Sequence, residues 1–239
     1  MKICRSSRKR ARISIMITDL ALIRLLQLVS PGLPIGMYSY SQGLERAVDD
    51  GWVNSAETAR DWIGGVLRHS MMCVDVPILL RLFTAWRNQD HAAVKHWSKF
   101  LTACRETSEL RAEDRQTGQA LAKLLANLDL PDAQAWQRQP DATLATLFSL
   151  AAVHWGIDSR HAAIAYVWSW LENQILCAVK LVPLGQVAGQ QLLQALAAQI
   201  PAQVDSAAFI SDDDIGGSVF GLALASSRHE VQYSRLFRS

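Results

Sequence analysis

Apolar residues recur at a helical spacing along almost the whole chain. Near its start, Leu20, Ile23 and Leu26 return every three residues, which places their side chains on one face of a helix. No sustained alternation of apolar and polar residues, as in a half-buried strand, and no internal repeat is present. The pattern predicts an all-α protein: a single compact domain of about nine or ten helices joined by mostly short connections.

Capping residues, glycines and prolines set the limits of the predicted helices. Asn54 to Glu57 has the spacing of a capping box, and Asp90 can cap the helix that follows it. Gly51 can close a short helix, whereas Pro31 ends the first one and Pro77 is predicted to start a new one. The predicted helices after the first are 41–50, the segment from 54, 78–86, 92–104, 106–127, 143–153, 158–179, 184–198 and 216–228, with loops at 130–141 and 201–214.

Residues 30–53, SPGLPIGMYSYSQGLERAVDDGWV, interrupt the helical pattern and form the most distinctive segment of the chain. The first half is too rich in glycine and proline for a helix, and the segment is too apolar for a flexible linker. A shaped loop that leads into a helix is the prediction, and such loops usually serve recognition. We call residues 30–43 the tyrosine loop; Tyr38 and Ser39 are its candidate partner-binding residues.

The last eight residues, QYSRLFRS, are called the C-terminal tail (232–239). Aromatic and arginine side chains dominate interface energies, and an arginine can donate two parallel hydrogen bonds to a carboxylate or phosphate. The tail is therefore predicted to dock on a partner, disordered on its own and ordered on docking. Its candidate partner-binding residues are Tyr233, Arg235, Phe237 and Arg238.

The charge is distributed unevenly. The chain has 24 basic and 22 acidic residues, but residues 1–15 hold six Lys or Arg and no acid. The remainder has a net charge of −4, so residues 1–15 are interpreted as a disordered basic extension ahead of an alternative start at Met16. The alternative function is a helical nucleic-acid-binding regulator that uses this arm. The acidic body argues against that alternative, so no nucleic-acid partner is expected.

Motifs for catalysis or for a bound cofactor are absent from the sequence. It has no phosphate-binding loop, no G-x-S-x-G and no pair of histidines spaced to hold a metal on one helix. The run His69 to Cys73 is rich in soft ligands, but a buried apolar helix end is the preferred interpretation. No enzyme activity, no stable metal site and no stably bound cofactor are therefore expected.

Cysteine usage and hydropathy predict a cytoplasmic protein. The four cysteines are widely spaced, as expected for reduced thiols in the cytosol rather than for a disulfide framework. No convincing secretory signal is found, and the longest uncharged apolar run, 162–171, is too short to span a bilayer. No membrane association is expected.

Three further features have two interpretations each. The charged run 109–115 forms either a solvated helix face or a functional charged rim or passage. Gly185 and Gly189 have the spacing that lets two helices approach closely, within the chain or at an interface, and packing is favoured. Trp136 is expected to be exposed in its polar loop.

Four motifs, in order along the chain, resemble the UreF family of urease accessory proteins. They are SPGLPIGMYSYSQGLE at 30–45, ELRAEDRQTGQ at 109–119, LVPLGQVAGQ at 181–190 and QYSRLFRS at 232–239. The resemblance implies an all-helical, homodimeric, non-catalytic chaperone. Such a protein bridges UreD (also called UreH) to the GTPase UreG on apo-urease for GTP-dependent nickel delivery, and modulation of GTP hydrolysis by UreG has been proposed for the family.

The resemblance also implies which groups contact the partners. Tyr38 of the tyrosine loop and Arg235 of the tail match the UreG-facing surface of the family, and Glu45 is a further candidate. Nickel would be bound only in transit, and GTP would be bound only by the partner.

Overall fold

The computed structural model describes residues 17–239, so the predicted extension at 1–15, and the nucleic-acid alternative that depends on it, lie outside the described residues. The described part contains eleven α-helices, a π-helix at Leu67–Asp75 and 3₁₀-helices at Met37–Ser39, Pro131–Trp136 and Asp212–Asp214. The α-helices are α1 (Asp19–Leu28), α2 (Leu44–Asp49), α3 (Ala56–Val66), α4 (Val76–Arg87), α5 (His91–Cys104), α6 (Ser108–Ala126), α7 (Leu144–His154), α8 (Ser159–Leu181), α9 (Gln186–Ala197), α10 (Ile200–Ala207) and α11 (Phe220–His229).

Residues 17–239 contain no strand, so the predicted all-α class is confirmed. Because α3, the π-helix and α4 run on as one 32-residue helix, the described chain has ten separate helices. Most observed limits lie within a few residues of the predicted ones. The periodicity of apolar residues was therefore a sufficient guide to the fold class.

Helices α7 and α8 form the centre of the fold. Eight of the eleven residues of α7 are buried, and α4, α6 and α8 all pack against it. A helix that is apolar on all sides is buried on all sides. The few polar side chains are satisfied locally: the hydroxyl of Ser149 donates to the carbonyl of Ala145 at 2.8 Å. Helix α8 in turn contacts α2, α3, α9 and α10, which makes it the second central element.

Two predicted caps are present, one of them shifted. The carboxylate of Asp90 accepts a hydrogen bond from the amide of Ala93 at 3.0 Å. The capping box at the start of α3 is formed by Ser55 and Thr58, whose hydroxyls accept from each other's amides at 3.2 and 3.0 Å. The predicted box at 54–57 is therefore displaced by one residue, because a threonine can take the place of the glutamate.

The prediction that Pro77 starts a new helix is wrong. The preceding turns are π-helical, and the amide of Val76 donates to the carbonyl of Met71, five residues back. In a regular helix Pro77 would leave the carbonyl of Cys73 without a donor. Here that carbonyl accepts from the amide of Gly216 at 3.3 Å, so it is paired although Pro77 has no amide to donate.

The long helix Ala56–Arg87 passes a length and composition test for a membrane span. However, 67% of the tested window is buried inside the fold. The apolar side chains are thus already covered by α5, α7, α8 and α10. Its composition is explained by a central position in the fold.

Two predictions about loops are wrong. Helix α10 lies within the predicted loop 201–214, because a proline in the first turn of a helix removes an amide that needs no partner there. Trp136 is 7% exposed instead of open to solvent. Its ring packs edge-on against Trp86, with 6.1 Å between the centroids, so the loop 130–141 covers a hydrophobic site.

The packing interpretation of the glycine pair is confirmed for Gly189. A Cβ atom there would lie 2.5 Å from Cγ2 of Val179, so this glycine lets α9 lie close against α8 of the same chain. Gly185 has open space around it and caps α9 instead.

The contact between α6 and the start of α7 predicts a sharp difference between two glycine substitutions. In Gly118→Ala the new Cβ would lie 2.4 Å from the carbonyl oxygen of Ala142, so we expect a loss of about 1–3 kcal/mol in the free energy of unfolding. Gly65→Ala is the matched control, because nothing lies within 4 Å and alanine favours a helix; we expect a gain of about 0.5–1 kcal/mol. Urea denaturation measures both, and an equal effect of the two substitutions would contradict the packing described here.

Candidate partner-docking site

The tyrosine loop and the C-terminal tail lie side by side, although they are at opposite ends of the described chain. The amide of Arg238 donates to the carbonyl of Ser39 at 2.8 Å. The amide and hydroxyl of Ser41 donate to the main-chain oxygen of Ser239 at 2.9 and 2.5 Å. Two segments that the sequence marked separately therefore form one continuous surface.

Glu45, predicted as a partner contact, lies inside the chain and holds the tail. Its carboxylate accepts hydrogen bonds from the amides of Leu236 and Phe237 at 2.6 and 2.8 Å, and the side chain is only 9% exposed. A carboxylate that accepts two amides fixes the path of the backbone that carries them. The motif GLE places Glu45 in the first turn of α2, and the structure assigns it a positioning role within the chain.

His229 at the end of α11 connects Glu45 with α6. Its Nε2 lies 3.3 Å from the carboxylate of Glu45, and its Nδ1 lies 2.7 Å from the carboxylate of Glu109. The other oxygen of Glu109 accepts from the guanidinium of Arg235 at 2.8 Å. We call Glu45, Glu109, His229 and Arg235 the tail cluster. Helices α2, α6 and α11 and the tail meet in it.

Phe237, a predicted partner contact, is buried within the chain. It is 5% exposed, and the ammonium of Lys180 lies 5.7 Å from the centre of its ring. Ser239 is also buried, with its hydroxyl donating to Glu113 at 2.9 Å. The structure thus differs from the expectation of a tail that is disordered on its own, because the chain supplies both hydrogen-bond acceptors and an apolar site for it.

The other predicted side chains face outward or shape the loop. Tyr38 is 65% exposed, and Tyr233 is exposed completely. Arg235 and Arg238 are exposed beside them, with Leu236. The hydroxyl of Ser39 donates to the carbonyl of Gly36 at 2.7 Å, so Ser39 stabilises the turn at which the loop changes direction. Aromatic and arginine side chains, which are enriched among interface hot spots, are thus exposed on the loop and on the tail.

A buried carboxylate supports this surface from below. Glu113 of α6 accepts from the side-chain amide of Gln42 at 2.8 Å as well as from Ser239. Burial raises the pKa of Glu113 to about 7, although these two donors oppose the shift. Beside it the hydroxyl of Tyr40 donates to Gln116 at 2.6 Å, and burial raises the pKa of Tyr40. The tyrosine loop, α6 and the tail therefore meet at this carboxylate.

A second group of charged side chains, in addition to the tail cluster, is centred on Arg105. The sequence did not suggest it. The guanidinium of Arg105 donates two hydrogen bonds to Asp75 at 2.6 and 3.1 Å and one to Asp114 at 2.8 Å. Burial opposes the charge of Arg105, but the two aspartates hold its pKa well above the usual value. Burial and Asp75 also raise the pKa of Tyr166 well above its usual value. The sequence did carry a sign of this buried group, because Asp75 is an acidic residue within the otherwise apolar run 74–80.

The solvated-face interpretation of residues 109–115 is wrong for one side of the helix. Glu113 and Asp114 are buried and bonded, and only Arg111 and Arg115 of this run are fully exposed. The charge pattern of residues 109–115 alone could not distinguish buried carboxylates from solvated ones, because the partners of the buried carboxylates come from distant segments. A buried carboxylate requires such partners, and here they are Gln42, Ser239 and Arg105.

A small cavity is lined by Glu113 and by all three members of the Arg105 group. It measures about 60 Å³, which is room for a few water molecules, and its lining includes Met71, Cys104 and Asp75. Burial raises the pKa of the Cys104 thiol and keeps it protonated. Among residues 17–239 no group of three or more His, Cys, Asp or Glu side chains is placed to hold a metal ion. The soft-ligand run 69–73 lies in the π-helix, within the long helix rather than at a helix end.

The position of Glu113 predicts a pH-dependent stability. A pKa raised from 4.5 to about 7 means that the folded state retains a proton that the unfolded state has lost. Stability therefore falls as the pH rises between these two values and stays lower above them. We expect the free energy of unfolding of the wild type, relative to Glu113→Gln, to fall by about 2–3 kcal/mol between about pH 5 and pH 8.

Urea denaturation at several pH values measures this difference. Glu57→Gln is the matched control, because Glu57 is exposed in the first turn of α3 and its removal should leave the pH dependence unchanged. A constant difference between the wild type and Glu113→Gln over this interval would show that Glu113 is not the titrating group.

Comparison with known proteins agrees with the motifs. The UreF family model matches residues 53–197. The chain is 53% identical over 220 residues to the urease accessory protein UreF of Alkalilimnicola ehrlichii, covering 92% of this chain and 96% of that protein. It is 47% identical to UreF of Hahella chejuensis (92% and 99% covered) and 48% identical to UreF of Pseudomonas putida F1 (94% and 100%). The chain therefore belongs to the UreF family of urease accessory proteins.

Proposed function

We propose that this protein is a non-catalytic chaperone for nickel insertion. It bridges UreD (UreH) to the GTPase UreG and brings both to apo-urease. Membership of the UreF family supports a role in urease maturation, and the choice of these partners extends that role. Nickel is the cargo and is bound only in transit, and GTP is bound by UreG alone.

The observation that carries the proposal is the joint surface of the tyrosine loop and the tail. Tyr38, Tyr233, Arg235 and Arg238 share it, and their backbones are tied together by the bonds of Ser39 and Ser41. A surface that is already fixed loses less conformational entropy when a partner binds. We propose that this surface contacts UreG, and that UreD contacts another part of the molecule.

The proposal also covers the oligomeric state of the chain, its location and its effect on GTP hydrolysis by UreG. Two copies of the chain would form a homodimer in the cytoplasm, so that one assembly offers two such surfaces. If UreF modulates GTP hydrolysis, it must bind the nucleotide states of UreG with different affinities, because equal affinities shift no equilibrium.

Point variants on the exposed surface test the proposal more cleanly than removal of the tail. Deleting residues 232–239 would also remove the donors of the buried Glu45 and Glu113. Tyr233 is completely exposed, so Tyr233→Ala should leave the fold intact. We expect Tyr233→Ala and Arg235→Ala each to weaken UreG binding by about tenfold or more, since such side chains are common interface hot spots.

The measurement is co-purification of the chain with UreD and UreG, followed by the nickel content of the matured urease. Phe209→Ala is the control, because Phe209 is an 89% exposed aromatic in the turn after α10, outside the loop and the tail. Loss of UreG with retention of UreD in the two surface variants supports the proposal. Full retention of UreG by both variants, together with a normal nickel content of the matured urease, would contradict the proposal.

A further inference from the structure

His229 is enclosed between two carboxylates. Its side chain is completely buried, and each ring nitrogen lies within hydrogen-bonding distance of one carboxylate, Glu45 on one side and Glu109 on the other. A neutral imidazole has one N–H donor, so it can donate to only one of them. Both contacts are hydrogen bonds to ionised carboxylates only when both ring nitrogens carry protons.

The same two carboxylates also bind the tail. Glu45 accepts the amides of Leu236 and Phe237, and Glu109 accepts the guanidinium of Arg235. The ring of His229 fixes the position of both acceptors at once. The path of the tail therefore depends on the contacts that His229 makes with these two carboxylates.

The charges of the tail cluster balance in one protonation state. The carboxylates of Glu45 and Glu109 are matched by the guanidinium of Arg235 and the protonated ring of His229. When the ring is neutral, a nitrogen lone pair faces one of the two carboxylates, and Arg235 is then the one cation of the cluster against two negative charges. Loss of this proton therefore disfavours the arrangement that holds the tail.

Other charged groups near His229 have partners elsewhere. On its own helix, Arg228 pairs with Asp50 at 2.7 Å, and Glu230 accepts from Ser108 at 2.6 Å. One turn further along α6, Glu113 faces Ser239. On α8, Lys180 lies over the ring of Phe237. The groups that face His229 directly are thus Glu45 from α2 and Glu109 from α6, with Arg235 from the tail behind Glu109.

We infer that His229 is a positioning residue whose double protonation holds the C-terminal tail, and with it the exposed surface, against the body of the protein. The tail is docked while the ring carries both protons and is released as the pH rises and the ring loses one. This property belongs to the chain alone, so it does not depend on which partner meets the surface.

Hydrogen exchange of the free protein tests the inference. The amides of Leu236 and Phe237 report tail docking directly, because they donate to Glu45. After correction for the intrinsic pH dependence, we expect their protection in the wild type to fall by about 10- to 100-fold across about pH 5 to 9. His229→Gln offers a single donor group, so protection should be lower at acid pH and should lose this step.

Two matched variants test whether the pH step belongs to His229 itself. His161→Gln should keep the step, because His161 is partly exposed and bonds to Asp158 at the start of α8. Glu113→Gln should also keep it, although Glu113 titrates close to the tail. A step that persists in His229→Gln, or that disappears in Glu113→Gln alone, would overturn the inference.

A second measurement on the wild type requires no substitution. The ¹⁵N resonances of the His229 ring report how many of its nitrogens carry protons. We expect two protonated nitrogens at the pH at which the tail amides are protected. A single neutral tautomer under those conditions would contradict the inference, even if His229→Gln proved unable to fold.

Discussion

The buried carboxylate of Glu45 is the interaction on which the docking surface depends. A carboxylate removed from water must recover its lost hydration from nearby donors, and here two backbone amides and a histidine ring supply them. Because both amides belong to the tail, the need for these donors also determines where the tail lies. The exposed side chains of Tyr233 and Arg235 are thus oriented from beneath, by a group that the solvent does not reach.

Helix α6 extends this dependence through the molecule. Its Glu109 belongs to the tail cluster, its Glu113 binds Gln42 and Ser239, and its Asp114 binds Arg105. Successive turns of one helix therefore contact the tail, the tyrosine loop and, through Arg105, the π-helix that carries Asp75. Each of these buried carboxylates would lose a donor if its neighbouring segment moved away, so the segments stabilise one another's positions.

The sequence was sufficient for the fold class, and for most helix limits, because apolar periodicity and capping are local signals. It also marked the tyrosine loop and the tail as special, since their compositions are unusual. It could not place Glu45 or Phe237 correctly, because their burial results from contacts between residues about 190 positions apart. His229 and Arg105 were missed for the same reason: nothing local distinguishes a histidine or arginine that meets two carboxylates from one in water. The helix continues through Pro77 beside a bond from the amide of Gly216 to the carbonyl of Cys73, a long-range contact that periodicity does not reveal.

The two ionic groups differ in the basic side chain that holds their carboxylates together. Asp75, Arg105 and Asp114 are held together by a guanidinium, which does not release its proton under physiological conditions, so this group is fixed. The tail cluster is built around an imidazole instead, and the number of carboxylates to which this ring can donate depends on how many of its nitrogens carry protons. A group of fixed charge therefore lies on the inner side of α6, while the group that orients the tail depends on the protons of His229 in the inference drawn above.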